Sequence, residues 1–178
     1  MNYHNITTDD MLNGDGLRVV LWVSGCSIHC FNCQNPQTHN FDSGIPFSNE
    51  TMQEILDYLS QPYISGFTLS GGHPLEPQNL ETVYKIVKTA KEKFPSKTIW
   101  LYTGYTWEEI LDKDKEYEDH KVNEASPLDV IKYCDVLVDG RYEDDKRDIS
   151  LAWRGSSNQR VISIQESLNQ GKVVLHCK

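Results

Sequence analysis

The sequence predicts an α/β fold with a mainly parallel sheet. Apolar runs of strand length alternate with amphipathic helical stretches along most of the chain. Glycines stand just past four of those runs, where a strand must turn. The 178 residues suffice for one domain with a substantial core and are too few for two ordinary ones. A single domain over 1–178 is therefore expected, with no internal repeat or low-complexity segment.

Residues 17–24 (LRVVLWVS) read as the first buried strand. A long loop extends from there to about Phe47 and holds a cluster of cysteines. Ser48 can cap a helix over 49–59, whose Met52, Ile55, Leu56 and Leu59 fall on one face. Residues 66–70 (GFTLS) form the second strand and end at Gly71-Gly72. Asn79 opens a helix through Phe94, where Pro95 stops it. Residues 98–103 (TIWLYT) give a third strand, and 107–111 start another helix. The charge-dense stretch 112–124 reads as an exposed loop or a helix extension. A short helix over 127–133 leads into the strand 135–139 (DVLVD), and the apolar runs 161–164 and 173–176 are placed to close the sheet. Periodicity does not distinguish an open sheet from one curled into a partial barrel. In both, ligands sit at the carboxyl ends of the strands.

Hydrophobic residues make up 38% of the chain, a globular composition. The formal net charge of −9, with lysines interleaved among acids, argues against nucleic-acid binding. The polar start MNYHNITTDDMLNGDG lacks the pattern of a signal peptide, and residues 19–23 are too few to span a bilayer. A soluble, cytoplasmic protein with no membrane partner is the expectation. In a reducing compartment, clustered cysteines suggest metal binding or catalysis before disulfides.

Cys26, Cys30 and Cys33 have the spacing C-x3-C-x2-C. Three thiolates so close in one loop can wrap a single inorganic centre. A four-iron cluster normally takes four thiolates, so three would leave one iron open to a ligand. Structural zinc is the alternative, with His29, His39 or Cys177 as fourth ligand, although zinc favours paired C-x2-C knuckles. Cys134 begins an apolar strand and reads as core, and Cys177 reads as idle. His4, His29, His39 and His120 show no spacing for a second metal.

This cysteine motif after a first strand, with Gly-Gly after the second, resembles the radical S-adenosylmethionine superfamily. VSGCSIHCFNCQNPQTHNF, LSGGHPLEPQN, WLYTGY, VLVDGRY and WRGSSNQR, in that order, narrow the resemblance to the activating proteins of anaerobic ribonucleoside-triphosphate reductases. The resemblance implies a shortened, partial (β/α) barrel. It implies one four-iron, four-sulfur (4Fe-4S) cluster on Cys26, Cys30 and Cys33, whose open iron binds S-adenosyl-L-methionine. The implied function is generation of a glycyl radical on the reductase by hydrogen abstraction, with a one-electron donor such as flavodoxin or ferredoxin.

By the same resemblance, Gly71 and Gly72 meet the cofactor's amino group and the Asn32–Cys33–Gln34 backbone lines its adenine. Thr103, at the end of the third strand, reads either as a contact for the ribose or methionine part or as part of a plain turn. The family usually has an acid where this chain has His73, which leaves the backbone contacts and a neutral hydrogen-bonding side chain. No side chain is expected to act as general acid or base. Asp139 reads either as an acid at the cavity mouth or as a turn former, and WRGSSNQR as a rim for cofactor carboxylate or partner, or as a solvated loop. Two alternatives in function remain: an activase of another glycyl-radical enzyme such as a formate lyase, and a non-catalytic, zinc-stabilised binding module.

Overall fold

Four apolar runs form the parallel middle of one sheet, because helices and loops bury them on both faces. They are β2 (Arg18–Val23), β4 (Gly66–Gly71), β5 (Thr98–Tyr102) and β6 (Val136–Asp139), numbered with β1 (Asn2–Asp10), β3 (Ile45–Pro46) and β7 (Arg160–Ser163). The computed structural model describes residues 1–120 and 125–177. Among them the strand order is β3-β1-β2-β4-β5-β6-β7, with β1, β3 and β7 antiparallel to their neighbours. The helices are α1 (Asn49–Leu59), α2 (Pro77–Lys93), α3 (Trp107–His120), α4 (Pro127–Ile131) and α5 (Ile164–Gln170). None is long and apolar enough to cross a membrane.

Strand side chains alternate with period two. Val19, Leu21, Val23, Phe67, Leu69, Ile99, Leu101, Leu137 and Ile162 belong to the large core, which the buried stripes of the helices complete. Trp100, Val136, Val138 and Val161 form a smaller cluster with Tyr102 and Trp153. Arg18 is buried among neutral acceptors: its guanidinium donates to Thr68 Oγ1 (2.7 Å), Thr98 Oγ1 (2.9 Å) and the Phe67, Thr98 and Asp15 carbonyls. It pins the amino ends of β2, β4 and β5 together.

Ser48 caps α1 with a reciprocal capping box, as expected. Helix α2 starts earlier than predicted, because Pro77 fits the first turn and Asn79 donates instead to the Ser24 and His73 carbonyls. Helix α3 takes up the charged stretch as far as His120, and residues 121–124 lie outside the described residues. One expectation is corrected. Residues 173–176 add no strand, only the isolated bridge Ile162–Leu175, and residues 164–170 form α5. The sheet stays open among the described residues, with β3 and β7 at its edges.

Candidate functional site

A cavity of about 520 Å3 lies past the carboxyl ends of the parallel strands. That is within the roughly 300–1,000 Å3 range of small-molecule sites. Cys26, Cys30, Cys33 and Gln34 line it from the loop after β2, and Gly71, Gly72 and His73 from the turn after β4. Thr103 lines it from the end of β5. Asn32 is the predicted site residue outside this lining: at φ +52° its side chain turns away and donates to Asp144 Oδ2 (3.0 Å).

The cysteine loop is held in an uncommon backbone path, with His29 as well as Asn32 at positive φ. Its base is stitched to Thr38 and His39: Gly25 N–H donates to Thr38 O (2.8 Å) and Cys26 N–H to His39 O (3.1 Å). Asn35 N–H reaches Cys33 Sγ at 3.4 Å. Burial pushes the Cys26 thiol above its ordinary value, against the N–H groups of Ile28 and His29. Burial also raises Cys30, against the Tyr142 N–H. A metal centre binding here must therefore displace protons.

The Gly-Gly turn is fastened to the base of that loop. Gly72 N–H donates to Val23 O and His73 N–H to Gly25 O, both at 2.8 Å. Gly71 has φ +101°, and a Cβ on Gly72 would stand 2.6 Å from Gly25 O and 3.0 Å from Thr38 O. Both positions therefore require glycine, one for its dihedral and one for close backbone approach.

His73 is buried, and its ring bridges two elements. Nδ1 lies 3.1 Å from Glu76 Oε1 and Nε2 lies 2.7 Å from Thr103 Oγ1. The same Glu76 oxygen accepts from Ser27 N–H (2.8 Å) and the Ser27 hydroxyl (2.7 Å). Burial alone would raise the Glu76 carboxyl, but the hydrogen bonds from His73 and Ser27 outweigh it and hold the group at about 2. Burial pushes His73 below its ordinary value, so the imidazole is neutral at pH 7. Thr103 Oγ1 also accepts the Tyr105 N–H at 3.0 Å.

Glu76, Ser27 and Tyr142 had no place in the sequence-derived site. The three-residue step from His73 to Glu76, just ahead of a helix, was the available signal for one of them. Asp139 is buried away from the cavity lining: it accepts the Trp107 N–H (2.8 Å) and pairs with Arg160. In WRGSSNQR, Trp153, Arg154, Gly155 and Gln159 reach the cavity wall, so this segment is part of the site.

The donor set suits a soft iron–sulfur centre: three thiols on one wall, with no carboxylate among the lining residues. Among the described residues no three His, Cys, Asp or Glu side chains gather around a single ion position.

A family profile described as "4Fe-4S single cluster domain" matches residues 12–162. A protein of bacteriophage T4, the "anaerobic ribonucleoside-triphosphate reductase-activating protein", is 43% identical over 163 residues, which cover 92% of this chain and 94% of that protein. Proteins of the same name from Pasteurella multocida and Escherichia coli K12 are each 39% identical over 163 residues. Those matches cover 90% of this chain and 96% and 97% of the relatives.

Proposed function

The chain belongs to the family of anaerobic ribonucleoside-triphosphate reductase-activating proteins, with their 4Fe-4S domain, and from this premise we propose that it is a radical S-adenosylmethionine enzyme. Its proposed task is to generate a glycyl radical on the anaerobic reductase, in the cytoplasm and without oxygen. The observation that carries this reading is the convergence of Cys26, Cys30 and Cys33 with the Gly71-Gly72 turn on one cavity. The family profile and the relatives' names favour this over a zinc module or a lyase activase.

Cluster and S-adenosyl-L-methionine, once bound, would supply the chemistry: one electron from a donor such as flavodoxin or ferredoxin would cleave the sulfonium, giving methionine and, with the hydrogen atom taken from the glycine, 5′-deoxyadenosine. The three cysteines hold the cluster, and no fourth protein thiol is needed. The open sheet represents the shortened, partial-barrel form of the superfamily's fold. Gly71 and Gly72 bring backbone to the cofactor's amino group, with a carbonyl of the turn as its acceptor. Asn32, Cys33 and Gln34 run beside the adenine, with Gln34 facing the wall and Asn32 tying the loop to Asp144.

His73 works at one remove. Glu76 carries no hydrogen at its ionised carboxylate, so His73 Nδ1 holds the proton and donates it, and Nε2 accepts the Thr103 hydroxyl. Thr103 thus offers the cofactor its methyl or backbone, its hydroxyl proton being engaged. The network fixes the cysteine loop, the glycine turn and the end of β5 in one arrangement. Trp22, Tyr102 and Trp153 supply aromatic wall that excludes water.

The direct test is anaerobic reconstitution with iron and sulfide, reduction, and addition of S-adenosyl-L-methionine. Equal amounts of 5′-deoxyadenosine and methionine are expected when a protein substrate is absent or present. A reconstituted, reduced protein that leaves the cofactor intact would remove the radical reading.

A further inference from the structure

The cavity lining holds one permanently charged side chain, Arg154, and no carboxylate to match it. Its Nε is buried without a hydrogen-bond partner, and its one hydrogen bond among the described residues runs from Nη1 to Gln159 O at 3.2 Å. The other arginines nearby are saturated. Arg160 pairs with Asp139 and Glu108, and Arg141 pairs with Glu109. A buried N–H left unpaired is unfavourable, so a guanidinium held this way is set for an incoming acceptor.

The segment that carries Arg154 is rigidly placed. Gln159 Oε1 accepts the N–H groups of Gly155 (2.9 Å) and Ser156 (3.2 Å), and its Nε2 donates to Gly140 O (3.0 Å). Gly155 presses on the cysteine loop: a Cβ there would stand 3.1 Å from Gln34 Nε2 and from Tyr142. Trp153, at φ +63°, packs edge-on against Trp100 with ring centroids 5.7 Å apart. The guanidinium is therefore presented to the cavity by a loop that Gln159 and Trp153 hold in place.

We infer that Arg154 is the carboxylate-binding residue of the cavity, receiving the α-carboxylate of the methionine part of S-adenosyl-L-methionine. The inference rests on the reading that this cavity takes that cofactor. Among the cofactor's groups the sulfonium and ammonium are cationic and the ribose hydroxyls and adenine are neutral. The carboxylate is the one anion, and a planar guanidinium matches it with two parallel hydrogen bonds.

The test compares two ligands on the cluster-loaded, unreduced protein by anaerobic calorimetry: S-adenosyl-L-methionine and its decarboxylated form, which keeps the sulfonium and the amine. Arg154→Gln should weaken the first about tenfold or more and change the second by no more than about twofold, with Arg154→Lys between the extremes. Iron content and the resonance spectrum of the ligand-free reduced cluster should match wild type. Unchanged affinity for S-adenosyl-L-methionine would overturn the assignment. So would equal weakening of both ligands, which means a wall role, or an altered ligand-free spectrum, which means a bond to the cluster. Wild-type protein that binds neither ligand would instead sink the cofactor reading on which the assignment stands.

Discussion

His73 Nδ1 donates to Glu76 Oε1 across 3.1 Å, and that same oxygen receives the N–H and hydroxyl of Ser27, next to the first cysteine. One buried carboxylate oxygen therefore joins the cysteine loop to the glycine turn. That carboxylate stands three residues past His73, which directly follows the two glycines. Its role is to place backbone, and the side chain at 73 is its intermediary.

Glu76 should make stability depend on pH in a defined window. Its folded pKa of about 2 lies below the ordinary 4.5, so the contribution is complete above about pH 4.5 and lost as pH falls towards 2. The size is roughly 3 kcal/mol. His73, lowered by burial, adds a loss in the same direction that begins below its ordinary value of 6.5. Urea unfolding of the cluster-free chain should show Glu76→Gln far less stable than wild type at pH 7. The gap should narrow markedly at pH 3. A gap independent of pH would mean that the carboxylate charge is irrelevant.

His73→Asp looks conservative from the sequence, since it restores the family's usual acid. The structure predicts the opposite. The new carboxylate would face ionised Glu76 in a buried setting, where like charges repel and no donor separates them. Melting temperature should fall, and the His73→Asp, Glu76→Gln double variant should recover part of the loss. A His73→Asp protein as stable as wild type would show that the bridge is dispensable.

Gly72 gives a second divergence. The resemblance has Gly72 meeting the cofactor, so that a side chain there would obstruct it, whereas the structure puts a Cβ against the Gly25 and Thr38 carbonyls. Gly72→Ala should then cost about 1–3 kcal/mol and lower the melting temperature of the ligand-free chain by several degrees. Normal stability with cofactor binding alone abolished would favour the obstruction account.

Iron should depend on three cysteines only. Reconstituted protein is expected to hold about four irons and four sulfides per chain. Changing Cys26, Cys30 or Cys33 to Ala should abolish that. Cys134 is fully buried in the large core, and burial pushes its thiol far up, so Cys134→Ala should keep the iron while costing stability. Stoichiometric zinc in place of iron would contradict the cluster.

The legible parts of the fold were those with strong periodicity. Strands β2, β4, β5 and β6 show as apolar runs because both their faces are covered, and α1 shows through Ser48 and its buried stripe. Strand β1 was illegible: Asn2–Asp10 is largely polar and only Tyr3 is buried, so no alternation marks it. Helix α5 has seven residues, too short for a periodic signal. In the site, spacing revealed the cysteines and the glycines. Long-range partners such as Ser27 with Glu76, or Gly155 with Gln34, join residues that no local pattern connects.

The central claim is that this protein places a radical on a glycine of the anaerobic ribonucleoside-triphosphate reductase. Reduced, cluster-loaded protein, S-adenosyl-L-methionine and the reductase of the same cell should be mixed without oxygen and examined by electron paramagnetic resonance. The account predicts a doublet on the reductase that collapses when its glycine α-positions are deuterated, and little or no signal with a formate-lyase partner. A doublet on the lyase with none on the reductase would contradict it.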